Sequence, residues 1–201
     1  MKHIKTLGLT VASTVALMAF AVSPASGTAL YNGSTHLGTG SVIDFSIPAG
    51  GSAVLKDTSG NELEKCSTST VKGEVTNAGG ATATVRVNVV DWSFSICSFQ
   101  FSTILKGAFE VHQIGAGTEG TVTALAEIGF TINTVLFGTC SYVFKPGVDL
   151  GVLKTASSGA ATFNMNAVAT KSSGGIACPE TGKWAATYTG TDPTNLRVES
   201  S

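Results

Sequence analysis

Apolar side chains recur at every second position through much of this chain, and the longest such run fixes what it can fold into. Val122, Ala124, Ala126, Ile128, Phe130, Ile132 and Leu136 all fall on one parity. A strand sends alternate side chains to opposite faces and keeps that set together, whereas a helix scatters it around its circumference. The run therefore predicts extended chain, with an adhesive edge if its backbone is left unprotected.

Shorter runs repeat the pattern. Ile43, Phe45 and Ile47 alternate with Asp44 and Ser46, and Val71, Gly73 and Val75 alternate with Lys72, Glu74 and Thr76. The stretch Asn77-Ala78-Gly79-Gly80 has the composition of a turn. Val85, Val87 and Val89 face away from Arg86 and Asn88, but Trp92, Phe94 and Ile96 carry the apolar set onward on the other parity. A one-residue slip turns every later side chain over, so a β-bulge or bend belongs between Val89 and Asp91. Further strands are expected over 141–144, 160–169, 183–190 and 196–198. Beyond residue 27 no segment shows a helical stripe. Many short strands with glycine-rich turns predict an all-β protein, an antiparallel β-sandwich or barrel, with two related disulfide-closed lobes as a variant.

Cys66, Cys97, Cys140 and Cys178 are the only cysteines. None are spaced as CxxC, which speaks against a structural zinc site or a thioredoxin-type redox pair. A weak internal echo suggests how they pair. Cys66-Ser67 is followed by a strand-like stretch, by Gly80-Ala81-Thr82-Ala83-Thr84, and finally by Ile96-Cys97. Cys140-Ser141 is followed by a strand-like stretch, by Gly159-Ala160-Ala161-Thr162, and finally by Ile176-Ala177-Cys178. Two sub-repeats, 66–97 and 140–178, predict Cys66 with Cys97 and Cys140 with Cys178. The alternative is coincidence between two β-hairpins of ordinary composition.

The first 27 residues read as a secretory signal peptide. Lys2 and Lys5 form a positive start, the run from Leu7 to Val22 is apolar or small, and Ala25-Ser26-Gly27 is a small-residue cleavage site. Residues 28–201 are then the secreted all-β domain, in an oxidising setting where cysteines pair. Without Lys2 and Lys5 the domain keeps ten basic against thirteen acidic residues, a formal charge of −3. Phosphate backbones are held by clustered Lys and Arg, and here the basic residues are scattered singly, so nucleic acid is not an expected partner. Nor is a membrane expected as a partner once the signal is removed. With 12% charged residues and 24 glycines, the surface should be neutral and hydroxyl-rich.

Chemistry-bearing patterns are sparse. The domain has two histidines, His36 and His112, without the carboxylate spacing of a metal site. Glu110 and His112 share the polar face of a strand, where a proton could pass between them, although two solvated residues on an outer face are the plainer reading. No GxSxG elbow is present, and Asp91, Glu119, Glu127 and Asp149 form no recognisable acid pair or calcium loop. No catalytic residue, metal ligand or cofactor is assigned. Trp92, Trp184 and Tyr188, with Tyr142, are the rings a sugar-binding face would use. Their parity with Phe94, Ile96 and Ala186 instead fits core packing.

The C-terminal third carries a resemblance. Cys140-Ser141-Tyr142, Ser173-Gly174-Gly175, Cys178-Pro179, Lys183-Trp184-Ala185-Ala186-Thr187-Tyr188 and Asp192-Pro193-Thr194-Asn195-Leu196-Arg197-Val198 resemble a group of small secreted four-cysteine β-proteins of actinobacteria that has no assigned activity. The resemblance implies export and a β fold and transfers no active-site residue. Gly190 departs from it, standing where a β-branched residue is usual, as does the Glu199-Ser200-Ser201 extension.

Two roles fit these observations. One is a non-catalytic cell-surface or extracellular-matrix protein that self-associates or contacts cell-wall or glycan material. The other is a monomeric glycan- or small-ligand-binding module using Trp92, Trp184 or Tyr188.

Overall fold

Fifteen strands build the computed structural model, which describes residues 27–201 apart from residue 116, residues 156–158 and the side chains of residues 103 and 104. The expected signal peptide lies, but for Gly27, outside the described residues. In chain order the first strands are β1 (Thr28–Asn32), β2 (Thr35–His36), β3 (Val42–Ser46), β4 (Ala53–Lys56) and β5 (Glu62–Gly80). Next come β6 (Ala83–Cys97), β7 (Gln100–Leu105), β8 (Ala108–Gln113), β9 (Glu119–Ala126) and β10 (Ile128–Thr134). The last are β11 (Gly138–Phe144), β12 (Asp149–Lys154), β13 (Thr162–Gly174), β14 (Thr181–Asp192) and β15 (Leu196–Ser200).

Neighbouring strands pair antiparallel, and eight positions close into a barrel. The circuit runs β5, β6, β8, β9, β12, β13 and β14, and returns to β5 through β3 and β4. β3 and β4 lie end to end against β5 and share the eighth position. Closure satisfies the backbone of each wall strand on both sides and removes the sheet edge. Inward residues meet across the strands: Val85 beside Val111, Val111 beside Val122, Leu153 beside Phe163, and Phe163 beside Tyr188. Gly73 belongs to this inner face, where an added Cβ would lie 2.5 Å from Val87 Cγ1.

Each end of the barrel is covered. At one, β1 pairs with β15 and β2 and touches β5 at Ala29 and Gly79, burying Leu30, Leu196 and Val198. Two hydroxyls fasten this cover: Thr28 Oγ1 accepts from Gln113 N (2.8 Å) and Thr155 Oγ1 from Val198 N (2.9 Å). At the other, β13 runs past the barrel and pairs with β11, which pairs with β10 and then β7. Phe101, Phe130 and Phe144 from this added sheet pack on Phe94, Trp184 and Trp92 of the barrel strands, and Tyr142 stacks on Phe130 within it.

The expected slip is a bulge at Val90. Lys72 pairs with Asp91 but Gly73 with Val89, so Val90 has no partner across the hairpin. Other expectations need correction. The run Val122 to Leu136 is two strands, divided at Glu127: Val122 and Ala124 face the barrel interior in β9, Ala126 is exposed rather than buried with the run, and Ile128, Phe130 and Ile132 are buried in β10 toward the aromatic cover. Neither strand is an edge, since β9 lies between β8 and β12 and β10 between β7 and β11. Leu136 is exposed in the turn between β10 and β11 rather than buried with the run. The turn expected at residues 77–80 falls at Ala81 and Thr82, because β5 stays paired to β6 through Gly80. Ile96 departs from the parity of Trp92 and Phe94: its φ of 53° turns it outward.

Candidate functional site

The disulfides are those the internal echo predicted, Cys66–Cys97 and Cys140–Cys178. Their surroundings nevertheless differ. The first joins directly opposed residues of the β5–β6 hairpin, with Cα atoms 3.9 Å apart. The second ties the start of β11 to the loop after β13, with β12 lying between them in sequence. The two segments belong to one continuous sheet, so the echo located the bridges without reflecting repeated topology. Among the described residues no cysteine is free, which is the pattern of an oxidising compartment.

The three candidate ligand-binding rings converge, but in the interior. Trp184 and Tyr188 are fully buried and Trp92 is 5% exposed. Trp92 and Trp184 meet edge to face at 6.0 Å. Trp92 Nε1 donates to Ser69 Oγ and to Tyr188 Oη, each at 3.2 Å, and those two hydroxyls lie 3.1 Å apart. The parity of β6 and β14 put these rings inside, and the bulge at Val90 set Trp92 on that parity. Burial pushes the Tyr188 hydroxyl up to about 12, against the favourable hydrogen bonds it receives. Tyr142 is likewise raised to about 12, by burial and by the negative charge of Glu180. No ring of this set is offered to a sugar at the surface. Around Val71, Phe109 and Phe163 the described residues leave apolar voids of only about 20 Å³, each about the space of one water.

Glu110 and His112 do meet. His112 Nε2 lies 2.9 Å from Glu110 Oε1 on the outer wall, and Thr84 Oγ1 donates to Glu110 Oε2 at 3.1 Å. Partial burial opposes ionisation of Glu110. The hydrogen bonds from His112 and Thr84 and the charges of His112 and Arg86 outweigh it, leaving the carboxyl below its usual range. A pair this open contributes up to about 1 kcal/mol and lines none of the cavities described here.

Sequence reasoning missed Glu64, a carboxylate with no exposed surface. Its Oε1 accepts from Lys65 N (2.9 Å) and Phe99 N (3.1 Å), tying the connection after β6 to β5, while Oε2 has no partner among the described residues. It lies beside Cys66 and Cys97, whose sulfurs are bonded to one another and offer no thiolate to a metal. The surrounding alternation gave no sign of it, since Glu62 and Glu64 share one parity and only Glu64 is buried. On the outer wall lies a broad, open depression of about 360 Å³, lined by Ser52, Val54, Lys56, Asn164, Ala185 and Thr187 among others.

Fold and bridges define a class: a disulfide-braced antiparallel β-barrel, closed at both ends and filled by an aromatic core. Within that class, no protein-family model, curated protein or solved structure matches this chain.

Proposed function

We propose that this is an exported, non-catalytic protein of the cell surface or extracellular matrix, acting through its outer surface by self-association or by contact with wall or glycan material. The inward packing of the described aromatic residues carries this reading. The rings best suited to grip a ligand are already packed against one another, and voids the size of a water admit no sugar or lipid. Low charge, a hydroxyl-rich exterior and two braces suit a durable outer protein. The alternative, a monomeric glycan- or small-ligand-binding module, is served by the depression around Lys56, Asn164 and Thr187, which lacks an aromatic platform.

Size-exclusion chromatography with light scattering, on protein exported through an oxidising compartment, tests the reading over a range of concentration. Reversible or fibrous assembly, or retention on insoluble wall material, is the expected result. A strict monomer that ignores wall material and binds a soluble oligosaccharide would overturn it in favour of the module.

A further inference from the structure

Four large aliphatic side chains stand clear of the protein at one end. Ile176 is fully exposed, Val135 is 91% exposed, Leu136 80% and Ile96 76%. They come from the last residues of β6 and from the β10–β11 and β13–β14 connections, which the strand register brings to the same end. Gln100 at the start of β7 pairs with Asn133, Thr134 with Gly138, and Cys140 with Gly174. The second disulfide joins two of the tips directly: Cys178, two residues from Ile176, places its Sγ 3.7 Å from the carbonyl oxygen of Phe137, which adjoins Leu136. Isolated exposed aliphatics are ordinary, but a cluster of them marks a contact surface.

These tips are held out rather than left loose. Phe137 N donates to Thr134 Oγ1 (2.9 Å) across the Val135-Leu136 tip, and Cys178 N donates to the carbonyl oxygen of Gly175 (3.0 Å) across the Ile176 tip. Ile96 sits next to the Cys66–Cys97 bridge at a φ of 53°, a strained conformation for a β-branched residue. That conformation leaves the side chain largely in solvent.

Composition identifies what such tips meet. No charged residue occurs in 92–105, 128–144 or 172–179, the segments that carry them. Entering an apolar medium therefore strips no charge of its water. The charge that does reach these tips is paired: Lys171 Nζ donates to the carbonyl oxygen of Cys178 and forms an ion pair with Glu180, so an anionic surface holds little advantage. A second copy fits poorly: four side chains on separate convex tips cannot supply the roughly 800 Å² per partner of a standard protein interface. The open depression on the barrel wall, bordered by Lys56, Ser52 and Asn164, is no apolar socket for them. A deformable apolar surface needs no matching socket. We propose that this end is a lipid-contacting tip, in which Ile96, Val135, Leu136 and Ile176 enter the surface of a neutral or zwitterionic membrane while the barrel remains in water. No single window of sequence shows the cluster, because its members are brought together by strand register and a disulfide.

The test is flotation of the exported, disulfide-bonded protein with phosphatidylcholine vesicles, with and without added phosphatidylglycerol and salt. The wild type should float with phosphatidylcholine alone, indifferent to salt. L136D and I176D should each lower the floating fraction by about tenfold, and V168D, on the outer wall away from the tips, should leave it unchanged. Unaltered near-ultraviolet circular dichroism would show that each variant is folded. Failure of the folded wild type to float, binding that requires phosphatidylglycerol and is reversed by salt, or L136D and I176D floating as well as the wild type would each overturn the proposal. So would an L136D or I176D protein that loses self-association while wild-type flotation is absent, an outcome assigning the tip to a second copy. Wall retention and self-association are scored separately, so the proposed surface role can fail without this inference, and the inference without it.

Discussion

Tyr188 shows how a single hydroxyl can organise a core. Its oxygen lies within hydrogen-bond distance of both Ser69 and Trp92, inside a cluster otherwise made of rings. Replacing it with phenylalanine leaves the Trp92 indole and the Ser69 hydroxyl with fewer partners at almost no change in shape. The expected cost is about 1–3 kcal/mol in urea unfolding. The hydroxyl also makes stability depend on pH in a definite direction. Its folded value, about 12, lies above the ordinary tyrosine value of 10.0, so the fold favours the neutral form. The stabilisation is fully present below about pH 10 and is lost as pH rises through about 12; a two-unit difference corresponds to roughly 3 kcal/mol. Alkaline titration followed by tyrosinate absorbance should show two tyrosines, Tyr188 and the similarly buried Tyr142, ionising only as the tertiary signal collapses, and a normal titration of all tyrosines in the folded state would contradict this placement. Glu64 is the second residue with a local task. E64A should free the connection at Phe99 and cost about 1–3 kcal/mol, whereas E64Q, which keeps an acceptor oxygen for the two amides, should cost less.

At the scale of the strands, parity carried much of the information. Val85, Val87 and Val89 followed by Trp92 and Phe94 revealed the bulge, since one extra residue is the only way a strand can keep both sets inside. The same logic failed between Val122 and Leu136, because the chain leaves β9 through exposed Leu125, Ala126 and Glu127 and starts a second strand whose apolar set happens to resume on the same parity. It failed at Ile96 because backbone conformation, not parity, decides where that side chain points. Glycine in strands is a further signal that alternation alone undervalues. Gly73 faces the inside of the barrel, and a methyl there would lie 2.5 Å from Val87 and 3.3 Å from Ile43. G73A should therefore overpack the interior and cost about 1–3 kcal/mol, measured as a lowered urea midpoint with an unchanged slope. The candidate site was less legible than the strands: parity assigned Trp92, Trp184 and Tyr188 to the core, whereas the exposed tips are assembled by register and by a disulfide across distant segments.

Over the whole molecule, closure is what makes these elements interdependent. β1 and β15, the first and last strands, pair with one another and cover one end of the barrel. The aromatic cover that holds Trp92 and Trp184 lies at the other end, joined to the barrel through the same long strands β6, β13 and β14. A sheet that closes on itself through such strands has no natural seam along which one end could melt while the other persists. Damage at the terminal cover should therefore be read by the distant tryptophans. Val198 is fully buried and neighbours Val111 and Gly120, so V198D places an unpaired charge against the barrel interior, a change expected to cost several kcal/mol. Because the two tryptophans are buried, the folded protein should emit at short wavelength and resist an added quencher. In V198D, thermal unfolding followed by tryptophan emission and by far-ultraviolet circular dichroism should give one coincident transition at a lowered midpoint. Two separate transitions, with the tryptophan signal unmoved, would mean that the barrel end and the aromatic cover are independent units despite the continuous sheet.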